Sequence, residues 1–110
     1  MRGYTKMATL NIANCGNGYR YQGPRFKRLG PDSGEEFRET YLIPWLRENG
    51  NDNELYIDFT GTIVFTPSFL EESFGGAIRQ GFDIVKKIQF KNIPQDIEKQ
   101  VMRYIEQAKK

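Results

Sequence analysis

Residues 55–59 (LYIDF) are a short, nearly continuous apolar run closed by Thr60-Gly61. Such a run suits a central strand of a parallel sheet, covered on both faces. Parallel neighbours need crossover connections, so the segments on either side must supply helices.

Both flanks have that character. Upstream, Ser33 and Glu36 have the spacing of a capping box, and Asp32 and Glu35 add negative charge at the helix start. Phe37, Tyr41 and Trp45, with Leu42 and Leu46 beside them, form the apolar stripe of a core-facing helix. Pro44 lies inside that stripe and predicts a kink or break near Tyr41. Asn49-Gly50-Asn51-Asp52 ends the element. Downstream, Ile63, Val64 and Phe65 form a brief apolar bridge to a second helix, with Thr66 as N-cap and Pro67 in the first helical position. Its apolar face comprises Phe69, Leu70, Phe74, Ala77 and Ile78, and Gly81 is the expected C-cap. Gly75 and Gly76 each cost about 1 kcal/mol relative to alanine, which close packing of the helix backbone on the sheet would offset.

Residues 7–14 (MATLNIAN) alternate as a half-buried strand does, and CGNG at 15–18 is turn chemistry. Residues 19–21 read as a short edge strand, and an uncovered edge at 19–22 leaves homodimerisation open. Residues 84–90 (IVKKIQF) read as a long strand. Pro94 opens a last helix whose Ile97, Val101, Tyr104, Ile105 and Ala108 keep helical spacing, with Lys109-Lys110 at its negative pole. The order β, β, α, β, α, β, α predicts an α/β fold: a mixed, mostly parallel sheet of about four strands with three main helices. At 110 residues the chain forms one domain, with a core over about 8–108 and residues 1–7 as a flexible lead-in.

The chain contains no histidine, which excludes Ser-His-Asp or Cys-His catalysis and any histidine-ligated metal. Its one cysteine, Cys15, rules out an internal disulfide and a zinc cluster and reads as a small apolar residue at a strand end. No glycine loop carries the Gly-Lys-Ser/Thr tail of a phosphate-binding loop. No cofactor or metal is expected. Lacking a membrane span or a signal-peptide pattern, the chain is expected in the cytoplasm.

The net charge of +2 conceals an asymmetry. Residues 1–31 carry six bases (Arg2, Lys6, Arg20, Arg25, Lys27, Arg28) and no acid, and the remainder carries −4. Arg20, Arg25, Lys27 and Arg28, interleaved with Tyr21 and Phe26, are candidate contacts for an anion or nucleic acid. The alternative is a solvated loop that faces acids of the same domain. Asp58, placed between Ile57 and Phe59, must be paired or lie at a strand's carboxyl end. Asp58, Thr60, Thr66 and Ser68 all fall between that strand and the next helix, where open parallel sheets gather function. An anion at the helix start, including a phosphate on Ser68 or Thr66, would meet free N–H groups. In the structural alternative, Thr66 only caps the helix and Ser68 pairs with Glu71.

The stretch LYIDFTGTIVFTPSFLEESFGGAIRQG, with GPRFKRLGPDSGEEFRETYLIPWL upstream of it, resembles the STAS-like domains of unknown function of bacteria and archaea. These are distant relatives of the STAS domains of sulfate transporters and anti-sigma factor antagonists, and the resemblance covers about residues 8–90. It implies the same fold, a mixed sheet with helices. Laid on the antagonist pattern, Asp58 matches the strand aspartate, Thr60-Gly61 the Ser-Gly, and Ser68 the serine that a partner kinase phosphorylates. Thr66, Pro67 and Phe69 depart from that pattern. The resemblance implies a partner of the histidine-kinase-like ATPase type.

Two functions of different class follow. The first is a non-enzymatic regulatory module whose surface around Thr60, Thr66 and Ser68 docks a protein, oriented by exposed Glu71, Glu72 and Arg79 on the second helix. The second is a nucleic-acid binder that uses residues 19–28. An enzyme is not expected, because the sequence offers no recognisable pair of nucleophile and base.

Overall fold

The apolar run folds into the middle strand of a three-stranded sheet. The computed structural model describes residues 6–16, 18–51 and 53–109. Arg2, Asn17, Asp52 and Lys110 lie outside the described residues, as does most of the expected lead-in 1–7. Strand β1 is Lys6–Asn11, β2 is Asn53–Asp58 and β3 is Gln89–Lys91, in spatial order β1-β2-β3 with every pairing parallel. Leu10 lies opposite Ile57, and Ile57 lies opposite Phe90.

The predicted centrality of β2 holds, but its cover is one-sided. Leu55, Ile57 and Phe59 are buried, whereas Glu54 is exposed and Tyr56 and Asp58 are half-buried. On the neighbours, Met7, Thr9, Gln89 and Lys91 are likewise exposed on the outer face. Strands laid down in chain order and joined by crossovers of the usual hand place their linking helices on one face, which leaves the other to water.

Helix α1 runs through 34–49 as α-helical Gly34–Phe37, π-helical Arg38–Leu42 and α-helical Ile43–Asn49. Ser33 caps it as predicted, its hydroxyl accepting from the Glu36 N–H at 3.0 Å. The Glu36 carboxylate does not close a reciprocal box; it accepts from the Tyr19 hydroxyl at 2.9 Å. Pro44 does not break the helix. The turn before it widens, and the Ile43 N–H reaches the carbonyl of Arg38. Helix α2 runs through 67–79 as Pro67–Leu70, π-helical Glu71–Gly75 and Gly76–Arg79. Gly81, at φ 100°, follows it in a conformation that a side chain would strain. Helix α3 is Gln95–Gln107, and it turns Val101 and Ile105 into the core.

Two predicted strands are corrected. Residues 19–21 contribute a single parallel bridge, Tyr21 to Val64, so the sheet has three strands rather than four. Residues 84–90 are mostly the 3-10 turn Asp83–Lys87, and only their end joins β3. Val85 and Ile88 are the buried residues there, a spacing of three that serves a 3-10 turn better than a strand. The core joins Ile12, Leu55 and Ile57 to Phe37, Leu42, Phe69, Phe74 and Val101, with edge-on ring contacts such as Phe74 to Phe90 at 5.2 Å. Among the described residues no helix is long and apolar enough to cross a membrane.

Candidate functional site

At the carboxyl ends of the strands, Asp58 is a bonded turn anchor. Its Oδ1 accepts from the Thr60 N–H at 2.9 Å, the Thr60 hydroxyl at 2.7 Å and the Asn92 amide at 2.9 Å. These donors, Asn92 first, hold its carboxyl below the ordinary aspartate range. Asn11, at the end of β1, donates to the Thr60 carbonyl at 3.3 Å. The three strand ends are thus tied together through Asn11, Thr60, Asp58 and Asn92. Sequence reasoning missed Asn11 and Asn92. Asn92 carried a signal: an asparagine just past an apolar run tolerates the left-handed backbone it adopts here, at φ 57°.

The loop that follows turns outward. Ile63 is 56% exposed, Val64 43% and Tyr21 60%, all gathered at the Tyr21–Val64 bridge. Thr66 stands at the N-cap position of α2, but its hydroxyl makes no capping bond. It donates instead to the Gln22 carbonyl at 2.8 Å, while the Thr66 N–H donates to Gln22 Oε1 at 2.9 Å. Gln22 is 5% exposed, so this clasp fixes the loop to the body. Ser68 is half-buried in the first turn of α2. The expected Ser68–Glu71 pairing is replaced, because Glu71 faces arginines.

Those arginines belong to a network that joins the two candidate groups that sequence reasoning kept apart. Arg25 Nη1 donates to Glu71 at 2.5 Å and reaches Glu72 at 3.3 Å. Arg79 pairs with Glu71 at 2.6 Å and lies 3.6 Å from Glu72. Arg38, its side chain 6% exposed, pairs with Glu72 and also donates to the Glu72 carbonyl at 3.1 Å. Glu72 is therefore a buried residue, which corrects its expected exposure; Glu71 is half-buried and Arg79 exposed. Arg79 and then Arg25 hold the Glu71 carboxyl below the ordinary glutamate range. Lys27 pairs with Glu39 at 3.0 Å, and its N–H donates to Glu35. Arg28 lies over the Phe26 ring at 5.2 Å, and Arg20 is exposed. Two of the four cations nominated for nucleic acid thus already face acids of this domain.

The same junction, rather than the expected packing on the sheet, accounts for Gly76, whereas a Cβ on Gly75 would meet Glu71 Oε2 of its own helix at 2.5 Å. A Cβ on Gly76 would stand 2.6 Å from Arg38 Nη1, and one on Gly34 would stand 2.5 Å from the Phe69 carbonyl. Helices α1 and α2 approach so closely that side-chain-free positions admit Arg38 between them. Their π-helical turns lie where Arg38 meets Glu72. Cys15 is buried and its thiol is pushed up to about 11 by that burial, consistent with an inert apolar role.

The profile of a family described as STAS-like domain of unknown function (DUF4325) matches residues 33–98, more than half of the chain. The chain belongs to that family. The matched part of this STAS-like domain begins at the Ser33 cap and runs through α1, β2, α2 and β3 into α3. It therefore holds Asp58, the outward loop 60–66, Ser68 and most of the ion network, while β1 and the loop carrying Arg20 and Arg25 precede it. No curated protein and no solved structure matches the STAS-like chain.

Proposed function

We propose that this STAS-like domain is a non-enzymatic regulatory module of the cytoplasm that docks a protein partner, an ATPase of the histidine-kinase-like type, through the surface around Thr60, Ile63, Val64, Thr66 and Ser68. The observation that supports this reading is the outward display of Ile63 and Val64 by a loop clamped at both ends. Ile63 and Val64 are already about half buried, so covering the rest against a partner favours association by roughly 1 kcal/mol each before the costs of binding. Thr60 and Ser68 flank the apolar pair and supply polar contacts at its rim, as specific interfaces require.

The test is affinity capture from the native cell with mass-spectrometric identification. Wild type is expected to retain an ATPase of that type, and Ile63→Asp is expected to lose it while remaining folded. Ser68→Glu and Ser68→Ala test whether the partner reads the state of the serine. If no such ATPase is captured, or if Ile63→Asp retains it undiminished, the reading fails. Nucleic-acid binding is the weaker alternative, since Arg25 and Lys27 are engaged by Glu71, Glu72 and Glu39.

A further inference from the structure

We propose that two copies of this chain join along their β1 edges, antiparallel about a two-fold axis at Thr9, so that two three-stranded sheets become one of six strands. This interface does not rest on the docking surface above.

The two borders of the sheet are built differently. β3 is three residues long, ends in Lys91 and follows Lys86 and Lys87, the short and charged form that keeps an edge from pairing further. β1 is six residues long and pairs with β2 in unbroken register, with no further strand beside it among the described residues. No charged side chain falls between Lys6 and Arg20, and neither a proline nor a bulge interrupts the strand. In a parallel ladder alternate residues turn their N–H and C=O away from the paired strand. Among the described residues, no backbone group of residues 7–10 finds a partner outside the β1–β2 ladder. Cover on the core face fails at the same border. Leu55 and Ile57 are 2% and 0% exposed, whereas Ala8 and Leu10, paired beside them, are only half-buried.

The strand's own pattern selects a second copy as occupant. Antiparallel pairing centred on Thr9 sets Ala8 opposite Leu10 of the second copy on the core face, where each covers what the other leaves open. On the outer face Met7 meets Asn11 of the second copy, and Thr9 meets its own image. The two Lys6 side chains then stand six positions apart, roughly 20 Å, beyond the reach of like-charge repulsion in salt. Centring on Ala8 instead would set Lys6 against Leu10. An uncharged edge offers a charged foreign segment nothing to select on, while its own copy matches it position for position. The 19–22 edge expected from sequence is not equivalent: it makes one bridge, and the next N–H, of Gly23, is already bonded to the Asp32 carbonyl at 2.9 Å.

The test measures the mass of the full chain by size exclusion with light scattering. Wild type is expected at twice the mass of one chain. Thr9→Lys and Thr9→Glu are each expected at the mass of one chain, because like charges face each other at the axis, and their equimolar mixture is expected to regain the dimer. Tyr21→Lys is expected to leave the dimer intact. Thr9→Cys keeps the test decisive if the charged variants do not fold. Opposed Cα atoms lie about 4.5–5.5 Å apart, so it is expected to cross-link two copies under mild oxidation, while Cys15 stays buried. Met7→Cys, roughly 14 Å from its copy, is expected not to cross-link. Wild type at single mass up to hundreds of micromolar overturns the dimer. A dimer that survives both charged variants or is lost in Tyr21→Lys overturns the β1 edge. Charged variants that fail to reassemble on mixing, no cross-link in Thr9→Cys, or a cross-link in Met7→Cys overturns the axis at Thr9. None of these readouts involves the ATPase, so failure here and failure of the docking reading are separately visible.

Discussion

Two regions of this domain carry most of the residues nominated from sequence, and they spend them in opposite ways. At the junction of α1 and α2, charges turn inward: Arg25, Arg38 and Arg79 close on Glu71 and Glu72, and little is left to offer a partner. At the loop 60–66, apolar side chains turn outward, while the polar residues Asp58 and Thr66 hold the loop in place. A charged residue on a helix is thus no guide to an exposed surface until its neighbours are known.

The largest effect that would separate the regions comes from the buried ion pair. Glu72→Ala removes the buried partner of Arg38 and leaves it only the more exposed Glu39 at 3.2 Å, and it is expected to cost about 3 kcal/mol in urea unfolding, the lower end for a broken buried pair. Arg38→Met combined with Glu72→Leu should recover much of that loss, because replacing both charges removes the orphan. A loss below about 1 kcal/mol for Glu72→Ala would put the network on the surface in energetic terms.

Gly76→Ala comes next. Helix propensity alone favours alanine by about 1 kcal/mol, but the added Cβ meets Arg38 Nη1 at 2.6 Å. The clash is expected to win, with a net loss of about 1–3 kcal/mol in the same assay. A stabilised variant would show that Arg38 can move aside and that the junction is looser than its geometry.

A smaller effect is pH-dependent and draws on both regions. Glu71, beside Arg79 and Arg25, and Asp58, bonded by Asn92 and Thr60, have folded pKa values below their unfolded ones. Each therefore contributes stability that is full above about pH 5 and is lost as pH falls through the folded value. Urea midpoints should drop between neutral and acid pH, and the slope should flatten in Glu71→Gln and in Asp58→Asn. The variant that flattens it more identifies the region that carries more of the acid sensitivity.

The smallest expected effect on stability is at the display surface. Ile63→Asp should change unfolding by no more than about 0.5 kcal/mol, since an exposed position away from the core is replaced. A loss as large as that of Gly76→Ala would mean that Ile63 supports the loop rather than presenting itself.

Legibility differed between the same two regions. The Ser33 cap, the central β2, the Pro67 helix start and the Gly81 stop were readable because each is set within a few residues of chain. The fate of residues 84–90 was not, because a short apolar run satisfies a strand and a 3-10 turn alike until its packing partners are in place. Asp58 was singled out correctly as a residue in need of partners, but Asn92 lies 34 positions away and no local pattern joins the two. Glu72 was misjudged for the same reason, since its partner Arg38 also lies 34 positions distant.

By itself the sequence determined the class of the domain: parallel strands linked by helices, no histidine chemistry, and a charge split between a basic arm and an acidic body. These follow from periodicity, capping and composition, which act locally or by simple count. Only the tertiary structure decided which charges are consumed and which side chains stay exposed. Ion pairing and burial depend on contacts between distant parts of the chain, and the crossing of α1 and α2 brings Arg38 to Glu72 while the Tyr21–Val64 bridge leaves Ile63 in water.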